Sequence, residues 1–179
     1  MSQENQRTIA ERAGVRWPGM PQRTTRWVLR LPPGSRVRKA MLERWARTAF
    51  LAWNRGDFVL VADIDDPQVE THIALTPIGA DPVYYGPDGH CRAMEVWNEA
   101  WREWDGDIEA VIDEGRDRVL IVARVYGEGA ASGIKLDAWV AVRYTFRDGR
   151  ILRVDAAIDP DRDRALDAIG ALDAAGLSE

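Results

Sequence analysis

The sequence predicts an α+β fold in which a curved antiparallel sheet wraps around helices, and three observations carry that expectation. Apolar residues recur at steps of four through the segment RVRKAMLERWARTAFLAWN, as on one face of a long helix. Period-2 runs follow one another late in the chain with no helical segment between them. The helical segments lie before and after those runs instead of alternating with them, which excludes a parallel βαβ sheet.

Each element has its own warrant. Val37, Met41, Trp45, Ala49 and Trp53 form the stripe of the first long helix, with Ser35 placed to cap it and Gly56 to end it. Asp57 is positioned to cap a short helix, FVLVADI, ahead of the acidic turn DIDDP. VETHIAL and DPVYYG read as short strands around a Pro-Gly loop. In GHCRAMEVWNEAWREWDG the spacing puts Trp97, Trp101 and Trp104 on one helical face, as a ridge that seals a core or walls a ligand cavity. The strands IEAVIDEG, RVLIVARVYGEG and IKLDAWVAVRYTF come next, and RDG turns tightly into RILRVDAAI. The closing helix, DPDRDRALDAIGAL, has Asp159 at its N-cap and Pro160 at the first helical position.

A chain of 179 residues, 46% apolar, suits one domain with a sizeable core. Residues 1–34 read as a basic arm, disordered or lying on the body of its own or a partner subunit, with Trp17 and Trp27 as anchors; order is expected from near residue 36, and residues 35–179 form the domain. Cys91 is the sole cysteine, so no intrachain disulfide forms. The opening MSQENQRTIAERAG lacks an apolar export segment and no run reaches the length of a membrane span, so the expected location is the cytoplasm.

The net charge of −5 hides an asymmetry. Residues 1–39 hold nine Lys or Arg against Glu4 and Glu11, a net +7, which leaves −12 for the remainder. The arm's arginines are spread out, interrupted by prolines and attached to an acidic body, which argues against nucleic acid as a partner. In the strand around 134–146, Leu136, Ala138, Val140, Val142, Tyr144 and Phe146 make one face apolar. The opposite face mixes Asp137, Trp139, Ala141, Arg143 and Thr145, so something is expected to cover it, and a second subunit is the simple candidate.

The segments WNRGDF, YYGPDGH with the helix after it, DRVLIVARVYGEGAASG, FRDGRI and RDRALDAIG together resemble the nuclear transport factor 2-like superfamily, in its SnoaL-like branch of polyketide cyclases and ketosteroid isomerase-like proteins. The likeness runs over about residues 37–177. It implies a cone-shaped, cystatin-like α+β barrel around a deep apolar pocket, commonly homodimeric. Fold alone does not choose a reaction. Matched to ketosteroid isomerases, the base position falls on Thr71, the oxyanion Tyr on Ala49 and the second acid on about Val142. Matched to limonene epoxide hydrolase, Arg124 and Asp159 are kept, but Tyr126, Thr71 and Val69 replace an acid, an Asn and a Tyr. Matched to SnoaL-type cyclases, Ala156 stands where the proton-abstracting Asp belongs.

What remains is a set of candidates without a recipe. Arg124, Asp155, Asp159 and His72 are the candidate catalytic groups, each with a structural alternative: a salt bridge, a cross-strand pair, a helix cap and a surface position, respectively. Trp53, Tyr84, Trp97, Trp101, Arg124, Val142 and Tyr144 are the candidate ligand contacts. No metal and no cofactor is expected, since His90 and Cys91 stand without a second ligand pair, and Arg164 and Gly170 spoil the calcium-loop pattern begun by Asp159, Asp161 and Asp163. The sequence therefore predicts a protein that binds a small apolar molecule, or an acid-base enzyme on a polyketide-, terpene- or steroid-like compound.

Overall fold

The computed structural model describes residues 17, 19–74 and 81–176, so the Pro-Gly loop and half of the basic arm lie outside the described residues. The elements in chain order are α1 (Met20–Arg30), α2 (Arg36–Asn54), α3 (Phe58–Ala62), β1 (Asp65–Ala74), β2 (Val83–Tyr85) and α4 (Gly86–Ala100). They continue with β3 (Trp101–Asp113), β4 (Arg118–Gly129), β5 (Lys135–Arg147), β6 (Arg150–Asp159) and α5 (Arg162–Gly176). The six strands form one curved sheet in the order β2-β1-β6-β5-β4-β3. All neighbours are antiparallel except β1 and β6, which run parallel. The expected α+β architecture is present, with the sheet left open between its β2 and β3 edges.

Local chemistry explains the element ends. The Ser35 hydroxyl accepts the Arg38 amide at 3.2 Å, capping α2, and Gly56 at φ 71° ends it with its N–H on the Trp53 carbonyl. Between β5 and β6, Asp148 and Gly149 both take positive φ, 53° and 79°, the two-residue geometry that matches strand twist. Asp57 occupies the N-cap of α3 but makes no side-chain capping bond there. The buried face of α2 is turned slightly from the expected stripe: Arg38, Leu42, Ala46 and Ala52 are buried, whereas Val37 is exposed.

Order begins earlier than residue 36. Helix α1 buries Val28 and Leu29, while the expected anchors Trp17 and Trp27 are more than half exposed. Arg38, wholly buried, ties α1 to the body: it donates to both carboxylate oxygens of Asp113 at 2.8 and 2.7 Å, and to the carbonyls of Leu29, Leu31 and Arg116. At the other end of α1, Arg26 pairs with Asp148 at 2.6 Å. The backbone of Gln22 presses so closely on Gly149 that a Cβ there would collide with it.

The tryptophan ridge is not a single helix face. Helix α4 stops at Ala100, and Trp101 and Trp104 lie on β3. Two bulky indoles and the Ile-Val-rich end of the segment favour extended backbone, and pairing with β4 along its length outweighs the helical spacing. The rings still cluster, because strand alternation aims Trp104 at the helix layer, where it packs 4.8 Å from Trp53 and 5.9 Å from Trp97.

The second face of the sheet is covered from within the chain. Ala165 and Ile169 of α5 pack on Leu120, Val122, Ala141 and Ala157, so the expected need for a second subunit over that region does not arise. Helix α5 begins at Arg162, later than expected. Asp161, not Asp159, caps it, accepting the amides of Asp163 and Arg164 at 2.9 and 3.1 Å. Among the described residues no helix is long and apolar enough to cross a membrane.

Candidate functional site

Between the helices and the concave face of the sheet lies a cavity of about 120 Å³. Helix α2 contributes Ala46, Ala49, Phe50 and Trp53 to its wall, and α4 contributes His90, Ala93, Met94 and Trp97. The sheet supplies Thr71 from β1, Val140, Val142 and Tyr144 from β5, and Val154, Ala156 and Ile158 from β6. Strand alternation selects these residues: each β5 residue of the predicted apolar face points inward, and its neighbours point out.

His90 brings the one titratable polar pair to this lining, with Asp65 behind it, beside the hydroxyls of Thr71 and Tyr144. His90 sits on the cavity face of α4, in line with Ala93, Met94 and Trp97 at helical spacing, and its Nδ1 lies 2.8 Å from Oδ2 of Asp65 at the start of β1. Both side chains are shielded, at 3% and 0% exposure. Burial raises the Asp65 carboxyl above its ordinary value, while the hydrogen bond and the charge of His90 oppose the rise. Tyr144, half-buried, packs edge-on to Trp45 at 5.0 Å, and desolvation together with the Asp65 charge pushes its phenol up. With Nδ1 engaged by the carboxylate, Nε2 is the ring nitrogen left to serve a ligand, the arrangement in which a carboxylate fixes the imidazole's tautomer and orientation.

Several polar atoms of this region are unpaired. Oδ1 of Asp65, Oγ1 of Thr71 and the indole nitrogens of Trp53, Trp97 and Trp101 are buried without a hydrogen-bond partner among the described residues. Trp104 differs: its N–H donates to Asn98 at 3.1 Å.

The candidates read from the sequence divide sharply. Trp53, Trp97, Val142 and Tyr144 line the cavity. Trp101 stacks behind Trp97, 5.7 Å away. Tyr84 is buried, but its backbone and Cβ lie against Gly89 and its hydroxyl accepts the Asp81 amide at 3.1 Å, away from the cavity wall. Arg124 faces outward on the same side of β4 as Leu120 and Val122, held by Asp137 through two 2.9 Å hydrogen bonds and lying over the rings of Tyr126 and Trp139. Arg124 is thus in the ion pair named as its structural alternative, on the face away from the cavity lining.

The remaining candidates are also outside. His72 alternates with the cavity residues Thr71 and Ile73 and bonds Glu70 at 2.9 Å. Asp155 is buried under α5 and takes the Arg153 guanidinium at 2.8 Å. Asp159 accepts the Asp161 amide at 2.8 Å in the turn before α5.

Asp65 and His90 escaped the sequence reading. DIDDP looks like a solvated turn, and His90 beside Cys91 reads as half of a metal-ligand set with no second pair to complete it. The usable signal was its position seven residues before Trp97, on the apolar stripe of α4.

A helix layer laid on a curved sheet around one apolar cavity defines the nuclear transport factor 2-like class of pocket proteins. Within it, the chain belongs to the SnoaL-like domain family, whose model matches residues 42–154 and so takes in Asp65, His90 and Tyr144. No curated protein sequence matches the chain. Among solved structures, a SnoaL-like polyketide cyclase candidate from Jannaschia sp. CCS1 is 17% identical with a TM-score of 0.59, covering 78% of this chain and 98% of its own. An NTF2-like protein of unknown function from Burkholderia pseudomallei K96243 is 16% identical with a TM-score of 0.57, covering 72% and 96%. TerC, co-crystallised with polyporic acid, is 18% identical with a TM-score of 0.52, covering 69% and 96%. At such identities these likenesses show the shared fold.

Proposed function

We propose that the cavity binds a small apolar molecule and that His90, oriented by Asp65, exchanges a proton with it. The observation that carries this reading is the shielded 2.8 Å His90–Asp65 contact in an otherwise apolar wall. Burying an ionisable pair is expensive unless it is well bonded, and leaving one carboxylate oxygen unpaired adds to the expense. Such an arrangement is expected where proton transfer is the task. The positions matched to the base, the oxyanion Tyr and the acids of relatives hold Thr71, Ala49, Val142 and Ala156, all in the cavity wall, and this supports giving proton transfer to the dyad.

A cavity of this size is comparable to one that admits a single six-membered ring. Cyclohexanone is therefore a suitable probe, with exchange of its α-protons in D2O followed by NMR. The protein should accelerate exchange above the buffer rate, and His90→Gln and Asp65→Asn should each lower that acceleration about a hundredfold. Bound cyclohexanone exchanging at the buffer rate would leave a binding protein without proton transfer, the second reading, which the neutral residues at Ala49, Thr71, Val142 and Ala156 favour.

The proposal extends to a homodimer joined through the outer face beyond α5, around the exposed Tyr126, with Trp139, which packs against the α5 cluster, at its edge. Sedimentation should show a dimer at tens of micromolar, roughly the range where modest specific interfaces persist. A monomer at that concentration contradicts it.

A further inference from the structure

Next to the inner cavity lies a second space, a cleft of about 250 Å³ between α1, α2 and α3. Its deep lining is apolar, with Val28, Leu42, Ile64 and Phe146 all buried, while Thr24, Arg44 and Asp63 stand exposed at its rim. Polar ties fix the α1 wall: Arg38 donates to the carbonyls of Leu29 and Leu31 at one end of the helix, and Arg26 and Gln22 bond Asp148 nearer the other. Apolar space left unfilled costs stability in proportion to its volume, so a wall held in this way is expected where a ligand fills the space. The family match begins at residue 42, after α1, which makes the cleft an addition to the matched domain.

The cleft and the inner cavity meet at Ala49 of α2 and Val61 of α3, which line both. The side chains at that junction are one methyl and one isopropyl group. Arg44 precedes Ala49 on the same helix by about 7.5 Å along the axis. Among the described residues it has no carboxylate partner: adjacent Glu43 faces Lys39 at 3.9 Å, and Asp63, its carboxyl raised by desolvation, has the opposing charge of Arg150. Resting on the pocket reading above, we propose that the cleft is the outer compartment of the ligand site, and that the ligand is a ring ketone whose acidic side chain passes Ala49 and Val61 to end at Arg44. An extended chain covers roughly 1.2 Å per bond, so a side chain of about six bonds spans that distance.

Three probes test this: acetophenone, which carries no side chain, 6-benzoylhexanoate, which extends it by an acidic chain of that length, and 6-benzoylhexanamide, its neutral match. Affinities are measured by calorimetry in low-salt buffer on the full chain, on Thr25→Phe, which fills the cleft from α1 at a residue that does not line the inner cavity, and on Arg44→Met. The acidic chain should raise affinity over acetophenone about tenfold in the parent, and Thr25→Phe should remove most of that gain while acetophenone changes less than about twofold. Arg44→Met should weaken 6-benzoylhexanoate about three- to fivefold and leave the amide within about 1.5-fold, as for a charge contact at an exposed rim. Thermal melting checks folding, and should Thr25→Phe not fold, the Arg44→Met comparison decides alone. A 6-benzoylhexanoate affinity no higher than that of acetophenone, or one that Arg44→Met leaves unchanged, overturns the outer compartment while acetophenone binding keeps the pocket. A change of oligomeric state in either variant with unaltered 6-benzoylhexanoate affinity would assign the cleft to a second copy of the chain and overturn it as well. Failure of both acetophenone and 6-benzoylhexanoate to bind the parent would instead overturn the pocket reading on which the compartment rests.

Discussion

Asp65 and His90 are separated by 25 residues in sequence, yet Oδ2 of one lies 2.8 Å from Nδ1 of the other. The contact joins the first residue of β1 to the first turns of α4 and closes the helix layer over the sheet at that corner.

The pair imposes a particular pH response. The folded Asp65 carboxyl sits above its unfolded value, chiefly through burial. Between the two values the folded state binds more protons than the unfolded chain, so stability contributed at this site falls as pH rises through that window, beginning near the ordinary carboxylate value of about 3.9. Denaturant melts of the parent and Asp65→Asn, compared from about pH 4 upward, should show the stability gap moving in the variant's favour as pH rises. A gap independent of pH would mean that Asp65 is not held above its unfolded value.

Arg38 and Asp113 should behave in the opposite way. Burial alone would raise the Asp113 carboxyl, but hydrogen bonds from Arg38 and the Gly115 amide outweigh it and hold the group below its usual range. Its contribution is present above the unfolded value and lost as pH falls through the folded one. Asp113→Asn should therefore flatten the acid limb of the stability profile. Arg38→Met should cost about 3 to 5 kcal/mol, since it strands a carboxylate and three carbonyls at the junction of α1, α2 and β3. Chemical denaturation measures both.

Arg124 offers a negative control for the site. Because its guanidinium is bonded to Asp137 on the outer face, Arg124→Met should leave acetophenone affinity within about twofold of the parent. A tenfold loss in calorimetry would return Arg124 to the binding machinery.

The fold was legible because it is written in periodicity. The runs at 118–129 and 135–147, the Asp148–Gly149 turn and the Ser35 cap all appear where the pattern placed them. What misled was local ambiguity. Trp97, Trp101 and Trp104 satisfy a helical spacing, but Trp101 and Trp104 pair with Gly129 and Gly127 of β4, a contact invisible in one window of sequence. Half of the site was legible for the same reason: Trp53, Trp97, Val142 and Tyr144 lie on apolar stripes and reach the cavity. Arg124, His72 and Asp155 are polar residues on strands whose inward face one segment of sequence does not identify, and strand alternation turns each to the outside. Asp65 and His90 could not be joined without the tertiary fold, since neither has a partner at helical or strand spacing.

The central claim is that the functional site is the cavity walled by His90, Trp53 and Trp97, and side-chain 1H–15N NMR during an acetophenone titration tests it most directly. The imidazole resonances of His90 and the indole resonances of Trp53 and Trp97 should shift together with a common saturation curve, while those of Trp27 and Trp139, both outside the cavity lining, stay in place. Shifts at Trp139 or Trp27 with His90, Trp53 and Trp97 unmoved would contradict the account.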